Sequence, residues 1–311
     1  MKIPFIKPST LEFIREARQT PNYSLFDFLH GYVYARWPYL YIGIGKGQHP
    51  LTKWLKPLGR FADRVITKPR SDEPGDGVEF VDTYHGKVVP LESAGQLVMI
   101  NQEIKIADLE QVIPYKRARS IVMKNPDRIV ALECPCRAAM ENPCLPLDVC
   151  LIVGDPMASF IMEHHPRRSR WINRDEALQI LKEEDERGHV HHAFFKDAML
   201  QKFYAICNCC SCCCGAMGIH KKGIPMLASS GYVSQIDVSL CESCGDCEAY
   251  CQFGALEMGS IAMTVKYDVC MGCGICVGKC EQGAISLVAD ENKGIPLEIT
   301  SLVKGVLVDQ D

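Results

Sequence analysis

Cys241-Glu-Ser-Cys244-Gly-Asp-Cys247-Glu-Ala-Tyr-Cys251 and Cys270-Met-Gly-Cys273-Gly-Ile-Cys276-Val-Gly-Lys-Cys280 are near copies of one another. Each reads C-x2-C-x2-C-x3-C. The copies then run on in parallel, Phe253-Gly-Ala-Leu-Glu-Met against Gln282-Gly-Ala-Ile-Ser-Leu, so the stretch is an internal duplication. A repeated ligand set implies two metal centres. A loop with a cysteine every third residue wraps three thiolates around one [4Fe-4S] cube, and the fourth cysteine of such a run serves the other cube. The expected sets are therefore Cys241, Cys244 and Cys247 with Cys280, and Cys270, Cys273 and Cys276 with Cys251. Gly245, Gly272 and Gly274 suit tight loops that turn backbone N–H groups toward sulfur. Zinc, the competing reading, ordinarily takes two C-x2-4-C pairs or Cys/His mixtures. Short alternating segments at 232–237, 261–265 and 285–288 are expected as strands that cover the clusters.

This stretch resembles the bacterial-type two-[4Fe-4S] ferredoxins over residues 231–311. The resemblance implies a pseudo-twofold α+β fold and one-electron transfer between neighbouring cubes. In one respect the sequence departs from that family: Gln252 and Glu281 stand where a proline usually follows the fourth cysteine.

Working outward, the chain has 311 residues, 47% of them hydrophobic, and so needs no cross-links to build a core. Eighteen cysteines would fit a disulfide-rich secreted protein, but no export signal is visible in the first residues. A reducing cytoplasm, where clustered thiols serve as metal ligands, is the expected setting. The longest uncharged apolar stretch, 37–45, is too short to span a membrane. A formal charge of -4 gives no case for nucleic acid, and basic runs at 53–70, 116–119 and 167–170 read first as solvated surface.

Ten more cysteines lie between 134 and 214. One group is Cys134-Pro-Cys136-Arg followed by Cys144 and Cys150; the other is Ile206-Cys207-Asn-Cys209-Cys210-Ser-Cys212-Cys213-Cys214-Gly. Each follows a plausible strand, at 128–132 and 203–206. If those strands pair, Cys134 and Cys136 come close to Cys207 and Cys209. A third [4Fe-4S] cluster is expected there, with Cys134, Cys136, Cys144, Cys207 and Cys209 as candidate ligands, one more than a cube needs. Cys150, inside the apolar run 149–153, reads as a buried structural thiol. Asn173-Arg-Asp-Glu176 opens a helix that ends near Gly188.

The order of segments is similar to that of anaerobe-type iron-sulfur proteins in which CxCR and ICNCC-x-CC-like elements precede a ferredoxin domain. Cys213-Cys214-Gly215 is also similar to the CCG element of heterodisulfide-reductase-like subunits, which hold a non-cubane cluster at a substrate-reducing site, although the flanking pattern differs. His164-His165 and His189-Val-His191-His192 have neither haem-attachment nor H-E-x-x-H company and read as hydrogen-bonding residues.

Twelve of 25 aromatic residues fall in the first 61 positions. Lys53, Trp54, Lys56, Arg60, Phe61 and Arg64 interleave basic and bulky apolar groups, as a surface held against anionic lipid or an acidic partner would, and docking to a membrane-associated redox enzyme is the expectation drawn from it. The expected division is an N-terminal region at 1–112, a cysteine-rich αβ domain at 113–230 and a ferredoxin domain at 231–311, an α+β architecture throughout. The function expected is one-electron transfer through two clusters, and a third, to a partner oxidoreductase or flavoprotein. No catalytic residue is assigned, and an electron carrier or oxidoreductase subunit in anaerobic metabolism fits better than a stand-alone enzyme. A catalytic or sensory cluster in the middle domain, reducing a small molecule or disulfide, is the alternative.

Overall fold

The structure is a computed structural model that describes residues 6–52, 84–100 and 124–299. The interleaved basic and aromatic residues from Lys53 to Arg64, and the basic run 116–119, lie outside the described residues.

Three helices open the chain: α1 (Pro8–Gln19), α2 (Leu25–Arg36) and α3 (Pro38–Gly45). Proline starts α1 and α3, where its missing N–H would have had no intrahelical partner. α2 is capped reciprocally: Asp27 N–H donates to Ser24 Oγ at 3.1 Å, and Ser24 N–H to Asp27 Oδ2 at 2.9 Å.

A mixed sheet forms the centre. Its strands are β1 (Tyr84–Val89), β2 (Lys124–Leu132), β3 (Cys150–Asp155), β4 (Ser169–Ile172), β5 (Val190–Lys196), β6 (Lys202–Cys209) and β7 (Leu227–Ala228), in the order β4-β2-β3-β6-β5-β1-β7. All neighbours are antiparallel except β1 and β7. Five further helices belong to this region: α4 (Leu91–Val98), α5 (Pro135–Ala138), α6 (Met157–His164), α7 (Arg174–Glu186) and α8 (Gly215–His220).

Alternate strand residues take opposite faces. Ile129, Ala131, Leu151 and Val153 pack toward Leu97 of α4 and Leu181 of α7. Val130, Leu132 and Ile152 pack toward Phe13 of α1 and Phe160 of α6. With helices on both sides, β3 and β5 are buried along their whole length. The helix expected from Asn173 onward is α7, with Asn173 Oδ1 accepting the Glu176 N–H at 2.8 Å.

The sheet crosses position 112: β1 pairs with β5 from Tyr84↔Lys196 to Val89↔His191. Of the early aromatic residues in the described part, Phe13 is buried, Phe26 and Trp37 are exposed and the others are half-buried. The Phe13 ring lies 5.1 Å from Phe28 and 5.9 Å from Phe160, and Tyr32 and Tyr34 pack alongside.

The strands at 128–132 and 203–206 do not pair with each other, because β3 stands between them. Cys150 is in register with Leu132 of β2 on one side and with Cys207 of β6 on the other.

The C-terminal region holds two small antiparallel pairs, β8 (Tyr232–Ile236) with β11 (Ile285–Ala289) and β9 (Leu256–Met258) with β10 (Met263–Val265). Two short helices, α9 (Asp246–Tyr250) and α10 (Ile275–Gly278), occupy equivalent places in the duplicated sequence. Each begins after a glycine in the left-handed region, Gly245 at φ 86° and Gly274 at φ 85°, which L side chains enter only at a cost.

Phe13 is fully buried where α1 and α6 meet. Phe13→Ala is expected to cost about 3–5 kcal/mol, read as a lower thermal midpoint of the anaerobically purified protein. An unchanged midpoint would show that α1 is dispensable to the core.

Candidate metal centres

The first duplicated run ends in a cavity of about 120 Å3 lined by Cys241, Cys244, Cys247 and Cys280. Cys280 comes from the second run. In the other set, Cys251 lies within electrostatic reach of Cys273 and Cys276, beside Cys270. The structure therefore brings together the four thiols of each expected set.

Backbone donors point at the sulfurs in a repeated way. Ala255 N–H donates to Cys251 Sγ at 3.2 Å, and Ala284 N–H, at the equivalent position, to Cys280 Sγ at 3.3 Å. The backbone N–H groups of Met263 and Ser243 hold the Cys241 thiol below its ordinary value. Such bonds favour the anionic sulfur that a cluster needs. Burial pushes Cys276 up to about 11 and Cys273 higher still, so these thiols keep their protons at neutral pH unless a metal displaces them. Soft thiols converging with aimed N–H groups fit an iron-sulfur cluster.

The two sets differ in exposure. In the first set Cys244 is exposed and Cys247 buried, whereas in the second Cys270 and Cys276 are both buried and no thiol is exposed. Met271 and Ile275, in and beside the second run, join the core of the sheet region. The second set is thus the inner one. Gln252, at the usual proline position, accepts the Ser211 N–H at 2.8 Å on its Oε1. That bond joins the residue after Cys251 to the cysteine loop that follows β6.

The ten remaining thiols stand at one end of the sheet and fall into two groups. Cys207 and Cys209 lie two apart on β6 and so face the same side, with Cys150 in register beside Cys207. Side-chain contacts link Cys207 to Cys150, Cys150 to Cys134, Cys134 to Cys136, Cys136 to Cys214 and Cys214 to Cys209. These six, together with Cys210 and Cys213, border a cavity of about 70 Å3 that Tyr34, Pro38 and Ile42 roof from α2 and α3. The N-terminal helices therefore shield this group from water. Contact with Cys136 and Cys150 draws the Cys134 thiol well down, while contact with Cys134 pushes both partners well up.

Cys144 lies elsewhere. It meets Cys210, Cys212 and Cys213, all four sulfurs lying within 4.8 Å of one another. Of the five thiols expected to form a third site, the structure brings Cys134, Cys136, Cys207 and Cys209 together and sets Cys144 apart.

Sequence reasoning missed the residues that hold this end of the sheet. Arg137, the arginine of CxCR, is 1% exposed. Its guanidinium donates to Glu184, to Asn208 O at 3.0 Å and to Pro146 O at 2.5 Å, and lies 3.0 Å from His189 Nδ1. Asn208, between Cys207 and Cys209, faces the opposite side of β6. There its Nδ2 donates to Val149 O at 2.7 Å and its Oδ1 bonds His191 Nδ1 at 2.6 Å. Burial opposes the Glu184 charge, but the His189 hydrogen bond and the Arg137 charge hold its carboxyl below the usual range. The signal was present in the alternation C-N-C, which sends the middle side chain away from the thiols.

The histidines mostly serve as hydrogen-bonding residues, as expected. His164 Nε2 meets Thr10 Oγ1 at 3.0 Å, and His165 Nε2 meets Ala35 O at 2.8 Å. All eighteen cysteines are free. Among the described residues, no helix is long and apolar enough to cross a membrane.

Residues 240–285 match the family model of the 4Fe-4S dicluster domain. A 4Fe-4S ferredoxin-type domain thus lies near the C-terminus, with thiols for at least one [4Fe-4S] cluster. No curated protein and no solved structure matches the chain.

Arg137→Ala takes from Glu184 its buried cationic partner, leaving the carboxylate only His189 and the half-exposed Arg187, and is expected to cost about 3 kcal/mol. Arg137→Lys should recover little, since an ammonium cannot serve all four partners at once. Thermal unfolding under anaerobic conditions, with alkylation of Cys134 and Cys136 as a second readout, checks this. Wild-type stability in Arg137→Ala would remove the clamp from the account.

Proposed function

We propose that the chain is an electron-transfer protein that relays single electrons through two [4Fe-4S] clusters, and a further iron-sulfur centre at the end of the sheet, to a partner oxidoreductase or flavoprotein. The observation that carries this reading is the crossed arrangement, with Cys280 of the second run lining the cavity of Cys241, Cys244 and Cys247. In this reading one cluster is held by Cys241, Cys244, Cys247 and Cys280, the other by Cys270, Cys273, Cys276 and Cys251, in a pseudo-twofold ferredoxin fold. When bound, such clusters store one electron each at potentials set by hydrogen bonds to sulfur and by exposure.

The order of the sites supports a wire. The first set, with Cys244 exposed, lies nearer the surface than the second, with Cys270 and Cys276 buried, and the Gln252–Ser211 bond ties the second set to the middle thiols. Cys134, Cys136, Cys207 and Cys209 are the ligands we favour for the further centre, with Cys150 and Cys214 in contact with them. Acidic Glu242, Asp246 and Glu281 rim the outer cavity beside Lys279, which suits a partner with a basic docking face. A cytoplasmic setting belongs to the same reading, supported by eighteen unpaired thiols. Docking to a membrane-associated partner through Lys56, Arg60 and Arg64 is a further part of it.

A second reading, a catalytic or sensory centre in the middle domain, is favoured by the cavity beside the six thiols, which Met157, Phe194 and Tyr204 line.

The crossed assignment has a direct test in EPR of the dithionite-reduced protein. Cys280→Ser and Cys244→Ser are expected to alter the same cluster signal, and Cys251→Ser and Cys273→Ser the other. If Cys280→Ser instead pairs with Cys273→Ser, the crossing is wrong.

A further inference from the structure

Cys209 to Cys214 holds five cysteines in six residues, and their sulfurs fall into two groups even though Cys210 and Cys213 also line the six-thiol cavity. The Cys214 N–H donates to Cys210 O at 3.0 Å and curls the segment into one turn. The turn sends Cys209 and Cys214 toward the six-thiol group and Cys210, Cys212 and Cys213 toward Cys144. Cys144 Sγ lies 3.2 Å from Cys212 Sγ, and Cys212 Sγ 3.6 Å from Cys213 Sγ. None is a disulfide.

These separations identify the size of the guest. Four thiolates on one tetrahedral ion with bonds near 2.3 Å stand about 3.8 Å apart. Thiolates on four different irons stand farther apart, because the body of the cube lies between them. Sulfurs all within 4.8 Å of one another match the single ion.

The surroundings suit the charge that results. Four thiolates around a divalent ion carry two net negative charges. The Lys46 ammonium donates to Cys213 O at 2.6 Å and to Cys136 O at 2.9 Å, at the boundary of the two thiol groups. The Arg137 guanidinium lies within electrostatic reach of Cys210.

From this geometry we propose that Cys144, Cys210, Cys212 and Cys213 bind one thiophilic divalent ion, zinc or mononuclear iron, at a site separate from every iron-sulfur cluster. This goes beyond the electron-transfer reading and does not depend on it. Binding exchanges the thiol protons for the ion. It ties the loop before β3 to the turn after β6. Ser211, inside that turn, carries the hydrogen bond to Gln252, so the ion also braces the contact between the sheet region and the ferredoxin region.

The test uses the full chain purified anaerobically, with zinc, iron and acid-labile sulfide counted per chain in the wild type and in Cys144→Ser/Cys212→Ser. Cys212 is exposed and Cys144 only partly buried, so the fold should tolerate both changes. The expected result is loss of one equivalent of zinc with iron and sulfide unchanged, or loss of one iron with sulfide unchanged if the ion is iron. The reduced-cluster EPR should stay as in the wild type in either case. Loss of iron and sulfide in equal number would assign these thiols to a cluster and overturn the proposal. Loss of no metal would overturn it too.

Discussion

A guanidinium withdrawn from water must be neutralised and hydrogen-bonded on the spot, and Arg137 is so placed at the end of the sheet where ten thiols collect. Its partners come from four directions: Glu184 at the end of α7, His189 before β5, the Asn208 carbonyl on β6 and the Pro146 carbonyl in the loop ahead of β3. Two of these partners, the Asn208 and Pro146 carbonyls, lie in cysteine-bearing segments. Removing the charge would therefore loosen the Cys134 loop, the start of β3 and the end of β6 together. The same guanidinium lies within electrostatic reach of Cys134 and Cys210.

Much of the ferredoxin-type region was legible in the sequence, because ligand spacing, duplication and turn glycines all constrain the same local geometry. Cys251 and Cys280 illustrate this: their crossing follows from spacing and reappears in the placement of side chains. The middle region was less legible. Cysteine crowding announced metal chemistry, but which thiol meets which depends on the turn at Cys210 to Cys214 and on β3 lying between β2 and β6. Cys150 read as an ordinary core thiol because its strand is apolar, yet its register places it against Cys207. Cys144 read as one more candidate for the same site, and nothing local in its loop reveals that it faces another.

The aromatic first segment is a similar case. Composition drew attention to its surface, whereas Phe13, Tyr32 and Tyr34 pack on the sheet core and the roof over the six thiols comes from α2 and α3. Water is kept from these sulfurs by residues more than ninety positions away in sequence. The departure at Gln252 gains a physical reason as well. A proline there has no side-chain oxygen to accept the Ser211 N–H, so the glutamine ties the ferredoxin-type region to the cysteine loop after β6.

In the proposed function this chain carries two [4Fe-4S] clusters in its C-terminal region and moves single electrons through them. Iron and acid-labile sulfide per chain on anaerobically purified full-length protein, with EPR of the reduced form, tests it most directly. At least about eight of each, with the signals of reduced cubanes, is the result expected. Far fewer than eight irons and no cubane signal would contradict it.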